Sequence, residues 1–437
     1  MQIAARRVMN NGYDTILANS TCSDFVLGNE VETVGLRILM VCQRYWPEHF
    51  QITEICEELV RRGHEVTALV GIPNYPTGVV PEEYRNGENR EQIRNGVRIV
   101  RVEEIPRNPG VIGLAKNYWS YMRNADRALR DLDGQFDVIF AYQLSPVLMS
   151  EPAMRAKRIY NAPVLLYCAD IWPDAVRALL PDCLSFLMPG VRAVSTRIYE
   201  NADIVATNSK AYIDCFSRIH RMDPAFCRYV PQYADDAYLD MDLTASPAEK
   251  TRFVVMGNIG KLQYLNVLME AVDRLKSRDD FELHIVGEGS VLDDLKAFVV
   301  ARDLESHVIF HGRHPVEEMP SFYRLADACV LTLHVPGAPW ISSTLPSRLQ
   351  GYMAAGKPVI AAIDGSAAEV IAESGCGASV PGTDSEGLAS LMADFIDRRE
   401  RYEHCGELGR AYFRENFMKQ RYMDDIESLL VEAAKGK

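Results

Sequence analysis

The chain has 437 residues, of which 48% are hydrophobic and 24% charged, a composition typical of folded globular proteins. Lysine and arginine number 47 and aspartate and glutamate 60, so the net charge of −13 disfavours a nucleic-acid partner, which requires a basic face. No stretch approaches the ~18 uninterrupted apolar residues of a membrane-spanning helix. The ten cysteines form no C-x-x-C pair, which is typical of a reduced compartment, and we expect a cytoplasmic protein.

The first 36 residues show neither a helical nor a strand period, and they lack a continuous apolar signal segment. We interpret residues 1–36 as a poorly ordered N-terminal extension. An extra strand or helix packed on the neighbouring domain is the alternative, and no function is assigned to this segment.

From Arg37 onward, short apolar runs alternate with segments of helical spacing. The first half predicts a helix over Gln51–Arg62, which ends before Gly63, and six strands, at 37–42, 64–70, 97–102, 137–142, 163–168 and 203–208. Such alternation predicts a parallel sheet covered by helices on both faces. Residues 233–250 are polar and irregular, which favours a linker.

The same alternation starts again after the linker and predicts strands at 252–256, 283–286, 308–310, 328–333 and 358–362, with mostly helical chain after Glu386. The predicted fold is therefore α/β, with two doubly wound, Rossmann-like domains over 37–232 and 251–437. Two such sheets that face each other hold their ligand in the cleft at the carboxyl ends of the strands.

Two glycine-containing turns follow strands of the second domain. In Gly257-Asn258-Ile259-Gly260-Lys261, the glycines allow backbone N–H groups to approach an anion, and Lys261 adds a positive charge before the next helix. We expect a phosphate there, and the alternative is a solvated strand-to-helix turn. Gly287-Glu288-Gly289 follows the next strand and is either a second ligand contact or a tight connection.

A third candidate segment begins at Thr344, a plausible helix N-cap with Pro346 in the first turn. Ser347 and Arg348 would then lie at a helix N-terminus that faces the strand ends, where a second phosphate or a sugar could bind. Gly356 and Pro358 predict the end of this helix.

The first domain offers two acidic candidates at strand ends. Asp170 follows a buried strand and could orient a hydroxyl group or act as a base, and a helix-capping aspartate is the alternative. Glu48 follows the first strand beside Trp46 and His49, and Trp46 could stack on a sugar or simply pack. The Asp-x-Asp pairs 131/133 and 240/242 lie in predicted loops, so we predict no metal site.

Taken together, these passages resemble the GT-B glycosyltransferases of family four, in particular the branch that builds bacterial surface polysaccharides and includes fucosamine and colanic-acid transferases. The resemblance covers about 37–430 and depends on the order and spacing of seven passages: Ile38–Trp46, Glu54–Pro76, Asp170–Pro173, Gly257–Lys261, Val286–Gly289, Arg324–Ala328 and Pro346–Ile360.

The resemblance implies a nucleotide-diphosphate sugar held mainly by the second domain, with a UDP-sugar favoured over a GDP-sugar, and an acceptor held by the first. It also implies transfer with retention of configuration, without a metal or another cofactor. Asp170 would face the reacting centre, with Glu48 as a second catalytic candidate. The implied donor-binding residues are Gly257, Gly260, Lys261, Gly287, Glu288, Thr344, Ser347, Arg348 and Glu369.

The sequence departs from the family pattern at two positions where the family usually carries glutamates separated by seven residues. Counted back from Gly356, these positions are Ser343 and Gly351, so Gln350 or Glu369 would have to replace the acid that holds the ribose. Two alternative functions therefore stay open: a non-catalytic GT-B-like partner subunit and a GT-B sugar-nucleotide epimerase. Two flanking strand-end carboxylates, as a glycosidase needs, are not evident in either domain.

The predicted first domain also contains a basic, aromatic segment over 111–130, which includes Trp119, Lys116, Arg123 and Arg127. Such a segment suits an anionic membrane surface, while an ordinary helix packed on the sheet is the alternative. A second basic cluster lies at 155–158. We expect peripheral attachment to the inner face of the cell membrane, with a polyprenyl-diphosphate-linked sugar as the acceptor.

Overall fold

The computed structural model describes residues 35–108, 110–173, 186–335 and 342–436. Almost all of the predicted N-terminal extension therefore lies outside the described residues. Within them, the chain folds into two α/β lobes, each built on one mainly parallel sheet, which confirms the predicted fold class.

The sheet of the first lobe has eight strands in the order β3-β4-β2-β1-β5-β6-β7-β8, and only β3 runs antiparallel to its neighbour. Central strands such as β1 (RILMV) are buried on both faces, which requires continuous apolar runs rather than alternation. The strands are β1 (Arg37–Val41), β2 (Glu65–Gly71), β3 (Glu91–Arg94), β4 (Val97–Val102), β5 (Val138–Gln143), β6 (Val164–Cys168), β7 (Ile204–Thr207) and β8 (Cys227–Tyr229).

The sheet of the second lobe has six parallel strands in the order β11-β10-β9-β12-β13-β14. Its two faces are covered by separate apolar clusters, as expected of a doubly wound sheet. The strands are β9 (Thr251–Met256), β10 (Phe281–Val286), β11 (Val308–Gly312), β12 (Ala328–Leu333), β13 (Val359–Ile363) and β14 (Gly377–Val380).

Helices connect the strands and cover both sheets. Those that follow strands of the first lobe are α1 (Gln51–Arg61), α2 (Val111–Asp131), α3 (Glu151–Tyr160), α4 (Met188–Asn201) and α5 (Lys210–His220). The later helices are α6 (Asn266–Leu275), α7 (Leu292–Ala301), α8 (Met319–Leu325), α9 (Ser347–Ala354), α10 (Ser366–Ser374), α11 (Ser385–Asp397), α12 (Cys405–Asn416) and α13 (Lys419–Lys435).

Three strands were not predicted, namely β3, β8 and β14. Each has only three or four residues and lies at or next to a sheet edge, where one neighbour and partial exposure suffice. Their sequences, EQIR, CRY and GASV, therefore lack the apolar run that marked the central strands.

The last helix corrects the predicted domain assignment. Helix α13 was placed with the second domain, but its apolar face packs in the core of the first lobe. Tyr422 of α13 stands edge-on to Tyr167 of β6 with 5.7 Å between ring centroids, and Met423 and Ile426 are fully buried. The chain thus crosses between the lobes twice, and the backbone amide of Ala234 in the first crossing donates to the carbonyl of Phe417 in the second (3.2 Å).

Residues 233–250, the predicted linker, contain neither a helix nor a strand. They are not a free tether, because Leu239 and Leu243 are buried in the core of the second lobe. Arg324 of α8 holds the segment as well, since its guanidinium donates to the carbonyl of Asp242 (3.1 Å).

Candidate functional site

The two lobes meet through residues that follow the carboxyl ends of their strands. The hydroxyl oxygens of Ser209, after β7, and Ser366, after β13, lie 3.2 Å apart and are buried. Beside them, Lys210 at the start of α5 forms an ion pair with Glu373 of α10 at 3.3 Å. The carboxyl edges of both sheets therefore border one cleft, as the fold class predicts.

The first glycine turn lies directly against the N-terminus of α9. A β-carbon added to Gly257 would lie 3.0 Å from Nε of Arg348, and the Arg348 guanidinium donates a hydrogen bond to the carbonyl of Asn258. Gly257 has a φ of +108°, which side chains rarely tolerate. The structure thus brings 257–261 and 344–348, which are about ninety positions apart in sequence, into one polar surface.

The second glycine turn packs on the first. A β-carbon at Gly287 would collide with the carbonyl of Gly257, and one at Gly289 with the carbonyl of Ile259. The turns are also joined by a backbone hydrogen bond from Ile259 to the carbonyl of Glu288 (2.8 Å). These two positions therefore need glycine for backbone packing, while Glu288 between them is exposed and lines the neighbouring cleft.

Lys261 is exposed, but the predicted helix does not begin beside it. Gly260 opens a single 3₁₀ turn over Lys261–Gln263, and α6 starts only at Asn266. Gln263 ends the loop by accepting a hydrogen bond from the backbone of Gly260 through its side-chain oxygen (3.1 Å). The positive charge at this loop therefore comes mainly from Lys261 and Arg348, and less from a helix dipole than the sequence suggested.

The prediction that Thr344 is the N-cap of the next helix is wrong. Helix α9 begins at Ser347, its N-cap position is Pro346, and no side chain caps it. Proline disfavours the helical conformation of the residue before it, and Pro346 itself is extended, so the helix starts three residues after Thr344. The side chain of Thr344 instead interacts with that of Tyr212 in the first lobe. Ser347 is exposed in the first turn, next to Arg348.

A cleft of about 310 Å³ opens from the paired glycine turns towards the ends of β10 and β11. Its lining includes three residues that sequence reasoning did not assign to a ligand: Arg313, His314 and Met319. Both ring nitrogens of His314 are occupied, by Glu318 Oε2 at 2.7 Å and by the carbonyl of His311 at 3.2 Å. Arg313 and His314 directly follow β11, which ends at Gly312, two residues later than the predicted strand 308–310, and a prediction with the correct strand end could have identified them.

Asp170 lies at the carboxyl end of β6, half-buried, and its backbone carbonyl accepts a hydrogen bond from Gln143 (2.7 Å). Burial raises the pKa of its carboxyl group above the ordinary value, and interaction with Ser145 opposes that rise. Ser145 is itself held by Trp172, whose ring N–H donates to the serine hydroxyl (3.0 Å). The strand-end position of Asp170 agrees with the prediction, and the surrounding loop fixes it.

Glu48 holds the loop that follows β2 in place through hydrogen bonds. Its Oε1 atom accepts hydrogen bonds from the backbone amides of Asn74 and Tyr75, both at 2.7 Å, and Arg44 lies 3.6 Å away. Burial raises the pKa of this carboxyl group. Trp46 is likewise engaged, because the guanidinium of Arg94 lies 4.9 Å from the centre of its ring. His49, beside them, is exposed.

A buried polar network that the sequence did not predict supports the same loop. The carboxylate of Glu104 accepts hydrogen bonds from Gln43 (2.7 Å) and Asn117 (3.2 Å) and pairs with Arg44 (3.3 Å). Burial raises the pKa of Glu104 to about 7. Such networks fix local geometry, although the buried side-chain oxygen of Gln43 has no hydrogen-bond partner among the described residues.

The structure gives the surroundings of Gly351, which stands where the family usually has a glutamate, and of Gln350 and Glu369, the two possible replacements. Gln350 is buried, and its amide donates to the backbone carbonyl of Gln232 (2.7 Å), which ties α9 to the chain that leaves the first lobe. A β-carbon at Gly351 would lie 3.1 Å from the hydroxyl of Tyr323. Glu369 is exposed in the first turn of α10 and lines a small cavity at the lobe junction with Ser209.

Across the described ranges, no three Asp, Glu, His or Cys side chains are grouped so that they could hold a metal ion. In the same part of the chain, no helix combines the length and the hydrophobicity needed to span a membrane.

Comparison with protein-family models matches both lobes. Residues 49–232 match the model described as "Glycosyl transferase 4-like domain", and residues 240–412 match "Glycosyl transferases group 1". These two ranges adjoin at the predicted linker and together cover most of the chain.

Two curated relatives and one solved structure illustrate the similarity. A GDP-mannose-dependent alpha-(1-6)-phosphatidylinositol monomannoside mannosyltransferase of Mycolicibacterium smegmatis is 25% identical over 239 residues, 53% of this chain but less than two thirds (63%) of that protein. The putative colanic acid biosynthesis glycosyl transferase WcaI of Escherichia coli K12 is 24% identical, over 74% of this chain and 82% of WcaI. Anabaena HepE, solved in complex with UDP, superposes with a TM-score of 0.66 at 15% identity, covering 91% of this chain and 100% of HepE.

Proposed function

Because the chain belongs to the GT-B glycosyltransferases of family four, we propose that it moves a sugar from a nucleotide-diphosphate sugar to a saccharide acceptor in surface-polysaccharide synthesis. The observation that carries this proposal is the contact of Arg348 with the Gly257–Lys261 turn. It concentrates two cations and close-packed backbone on one surface of the cleft.

The chemistry of this surface suits a diphosphate leaving group. As the bond between sugar and diphosphate breaks, negative charge develops on the phosphate oxygens, and fixed cations stabilise it. Lys261 supplies a point charge and Arg348 a planar group with several donors. Gly257 and Gly260 let the backbone approach the phosphates, with Ser347 at the start of α9 as a further contact.

We infer the orientation of the donor from the shape of the cleft. A nucleotide sugar extends from its diphosphate in two directions, and its sugar has to face the acceptor lobe for transfer. The opposite direction leads into the cleft of about 310 Å³, which we assign to the nucleoside, with Glu288 placed to accept hydrogen bonds from ribose hydroxyls. Asp170 would then face the sugar and orient the acceptor hydroxyl, while Glu48 holds the acceptor-side loop and Glu369 borders the site at the lobe junction.

We propose that the donor is a UDP-sugar. The curated mannosyltransferase relatives are named for GDP-mannose and the HepE structure contains UDP, so both bases belong in any test. The retaining stereochemistry and independence of metal ions that the family resemblance implies are part of the same proposal.

For the acceptor we propose a polyprenyl-diphosphate-linked sugar, reached from an anionic membrane surface. Helix α2 presents one exposed stripe that contains Ile112 and Trp119, 73% and 50% exposed, together with four basic residues: Lys116, Arg123, Arg127 and Arg130. Exposed apolar side chains among cations fit the boundary between lipid headgroups and acyl chains. Such a protein would attach peripherally to the cytoplasmic face of the membrane.

The second basic cluster supports this proposal less. Arg155 pairs with Asp126 at 2.8 Å and Lys157 with Asp203 at 2.7 Å, so these charges are partly neutralised within the lobe. The cluster therefore provides a matched control for vesicle binding.

The membrane proposal is tested by co-sedimentation with vesicles that contain phosphatidylglycerol. Changing Lys116, Arg123 and Arg127 to Glu should abolish binding, whereas changing Arg155 and Lys157 to Glu should reduce it less than threefold. Equal losses in the two variants, or no binding of the wild type, would contradict the proposed surface.

A second candidate function is a non-catalytic partner subunit. It is favoured by one observation, the absence of an acid at Gly351, where a side chain would meet the hydroxyl of Tyr323. Such a subunit would turn over no donor.

The two functions are separated by incubating the purified chain with UDP- and GDP-sugars, with and without a polyprenyl-diphosphate-linked sugar. A glycosyltransferase forms a larger lipid-linked product, and Asp170→Asn should lower its formation at least 100-fold. Asp214→Asn, a change at an exposed residue of α5, should leave it within twofold. A new nucleotide sugar formed without an acceptor would identify an epimerase, and no product with any donor would favour the partner subunit.

A further inference from the structure

His220 ends α5 and is buried, only 2% exposed, against the segment that carries Asp170. Its Nε2 atom lies 2.7 Å from the backbone carbonyl of Trp172, and its Nδ1 atom lies 2.7 Å from the hydroxyl of Thr196 in α4. Because a carbonyl oxygen only accepts, Nε2 carries the proton and donates, and Nδ1 accepts from the threonine hydroxyl. The two contacts therefore fix one tautomer of the ring.

The ring of His220 is neutral in the folded protein. Burial lowers its pKa to about 4, against the opposing effect of the hydrogen bond to Trp172. Near neutral pH the ring therefore keeps the one donor and the one acceptor that its two contacts require.

Trp172 connects His220 to the carboxyl group of Asp170. The ring N–H of Trp172 donates to the hydroxyl of Ser145 (3.0 Å), and Ser145 in turn hydrogen-bonds with the Asp170 carboxyl group. Since the serine oxygen accepts from the indole, its own proton is available to the carboxylate. A displacement of Trp172 would thus carry Ser145 away from Asp170.

Tyr199 of α4 provides a second contact to Trp172. Its hydroxyl accepts from the backbone amide of Trp172 (3.1 Å) and donates to Oε1 of Gln143 (3.3 Å), whose amide donates to the carbonyl of Asp170 (2.7 Å). The tyrosine ring stands edge-on to the ring of His220, with 4.9 Å between the centroids. Two buried side chains from helices thus satisfy the amide and the carbonyl of Trp172.

The segment needs these contacts because residues 169–173 form neither a helix nor a strand. Buried backbone without regular pairing has to find partners for its N–H and C=O groups among side chains. A catalytic group also has to be held within about 0.5 Å of its productive position. His220 and Tyr199 supply the restraint that regular backbone pairing gives elsewhere.

We propose that His220 is a positioning residue of the transfer reaction, which holds the Asp170 carboxyl group towards the reacting sugar through Trp172. The inference rests on the role given to Asp170 under Proposed function. Because His220 touches neither substrate in this role, it should affect turnover and not donor affinity.

Two amide substitutions separate the contact with Trp172 from the contact with Thr196. The amide of glutamine reaches the place of Nε2 and can donate to Trp172, whereas the amide of asparagine reaches only the place of Nδ1. His220→Asn should lower kcat at least tenfold and change KM for the nucleotide sugar less than threefold, and His220→Gln should keep kcat within threefold of the wild type. Equal losses of kcat in the two variants would overturn the proposal.

His307→Asn is the matched control for a general loss of stability. His307 is buried beside the amino end of β11 in the second lobe, and its Nε2 atom likewise lies 3.2 Å from a backbone carbonyl, that of Lys276. The substitution removes the same kind of contact far along the chain from Asp170, so it should destabilise the protein in urea but leave kcat within twofold. A loss of kcat as large as that of His220→Asn would show that destabilisation alone lowers turnover, and would contradict the proposal.

A spectroscopic measurement tests the contact without turnover. The chain has four tryptophans, so labelling with 5-fluorotryptophan gives few ¹⁹F resonances, and that of Trp172 is identified by its loss in Trp172→Phe. This resonance should shift or broaden in His220→Asn and keep its wild-type position in His307→Asn. An unmoved resonance in His220→Asn would overturn the proposal even if activity fell.

These measurements also separate the role of His220 from the proposed function. Product formed at the wild-type rate by His220→Asn would refute the positioning role and leave the glycosyltransferase activity intact. No product from the wild type with any donor would refute the proposed function and, with it, the role of His220 in turnover. A displaced Trp172 resonance would in that case still show that His220 holds the Asp170 segment.

Discussion

The guanidinium Nε of Arg348 lies 3.0 Å from the point where a β-carbon on Gly257 would stand. One residue belongs to the turn after β9 and the other to the first turn of α9, so this approach joins the two halves of the proposed diphosphate site. A β-carbon at residue 257 would therefore fit only if the Arg348 side chain shifted.

Gly257→Ala should therefore impair both stability and donor binding. The φ of +108° should cost about 1–3 kcal/mol in an alanine, and displacement of Arg348 should weaken nucleoside diphosphate binding at least tenfold. Urea denaturation and calorimetry measure the two effects. Gly63→Ala is the control, because Gly63 has a φ of +93° but nothing within 4 Å of an added β-carbon; it should lose stability without losing affinity. Equal loss of affinity in both would contradict this account.

The pH dependence of transfer should follow Asp170. Its pKa is raised above 3.8 by burial, so turnover should fall as the pH decreases through a value higher than that of an ordinary aspartate. Ser145 holds this pKa down, and Ser145→Ala should therefore move the acidic limb of the profile to higher pH. The measurement is kcat against pH for both proteins. An acidic limb that does not move, or moves to lower pH, would exclude Asp170 as its source.

Glu104 should make the folded state less stable as the pH rises towards neutrality. Its pKa is about 7 in the folded chain and 4.5 when unperturbed, so the folded state binds the proton more tightly than the unfolded state does. The resulting stabilisation is complete below pH 4.5 and is lost as the pH rises through 7, by up to about 3 kcal/mol.

The free energy of unfolding at pH 5 and pH 8, from urea denaturation, tests this prediction. The difference between the two pH values should be smaller in Glu104→Gln than in the wild type. An unchanged difference would mean that Glu104 titrates normally.

Gly351 tests how tightly α9 packs on α8. Alanine in place of a helical glycine usually stabilises by about 1 kcal/mol, but here its β-carbon would lie 3.1 Å from the hydroxyl of Tyr323. Gly351→Ala should thus stabilise little in the wild type and by about 1 kcal/mol in a Tyr323→Phe background. Additive effects in this double-mutant cycle would show that the hydroxyl does not restrict residue 351.

The fold was predictable wherever burial determines the sequence. Strands such as β1 and β12, buried on both faces, consist almost entirely of apolar residues, and their alternation with helices predicts the doubly wound fold. The short edge strand β3 has no such requirement. Helix α13 was assigned by its position in the chain, although its apolar face is completed by a sheet more than two hundred residues earlier, and local periodicity carries no information about which sheet a helix covers.

The same reasoning explains which residues of the candidate site could be predicted from the sequence. Glycines after β9 and β10 identified the turns because close packing of two backbones excludes side chains there. Arg313, His314 and the network around Glu104 were not predicted as part of the site because their positions depend on contacts between segments remote in sequence. The prediction that Thr344 caps a helix failed because Pro346 sets the start of α9.

The most direct test of the proposed donor site is calorimetric titration of UDP and GDP into the wild type and Lys261→Ala. If the Gly257–Lys261 turn and Arg348 hold a diphosphate, the variant should bind the preferred nucleotide at least tenfold more weakly. The control is Lys276→Ala. Lys276 is an exposed lysine just past the end of α6 that pairs with Asp273, and this variant should bind the nucleotide as the wild type does. Wild-type affinity in Lys261→Ala, or failure of the wild type to bind either nucleotide, would contradict the account.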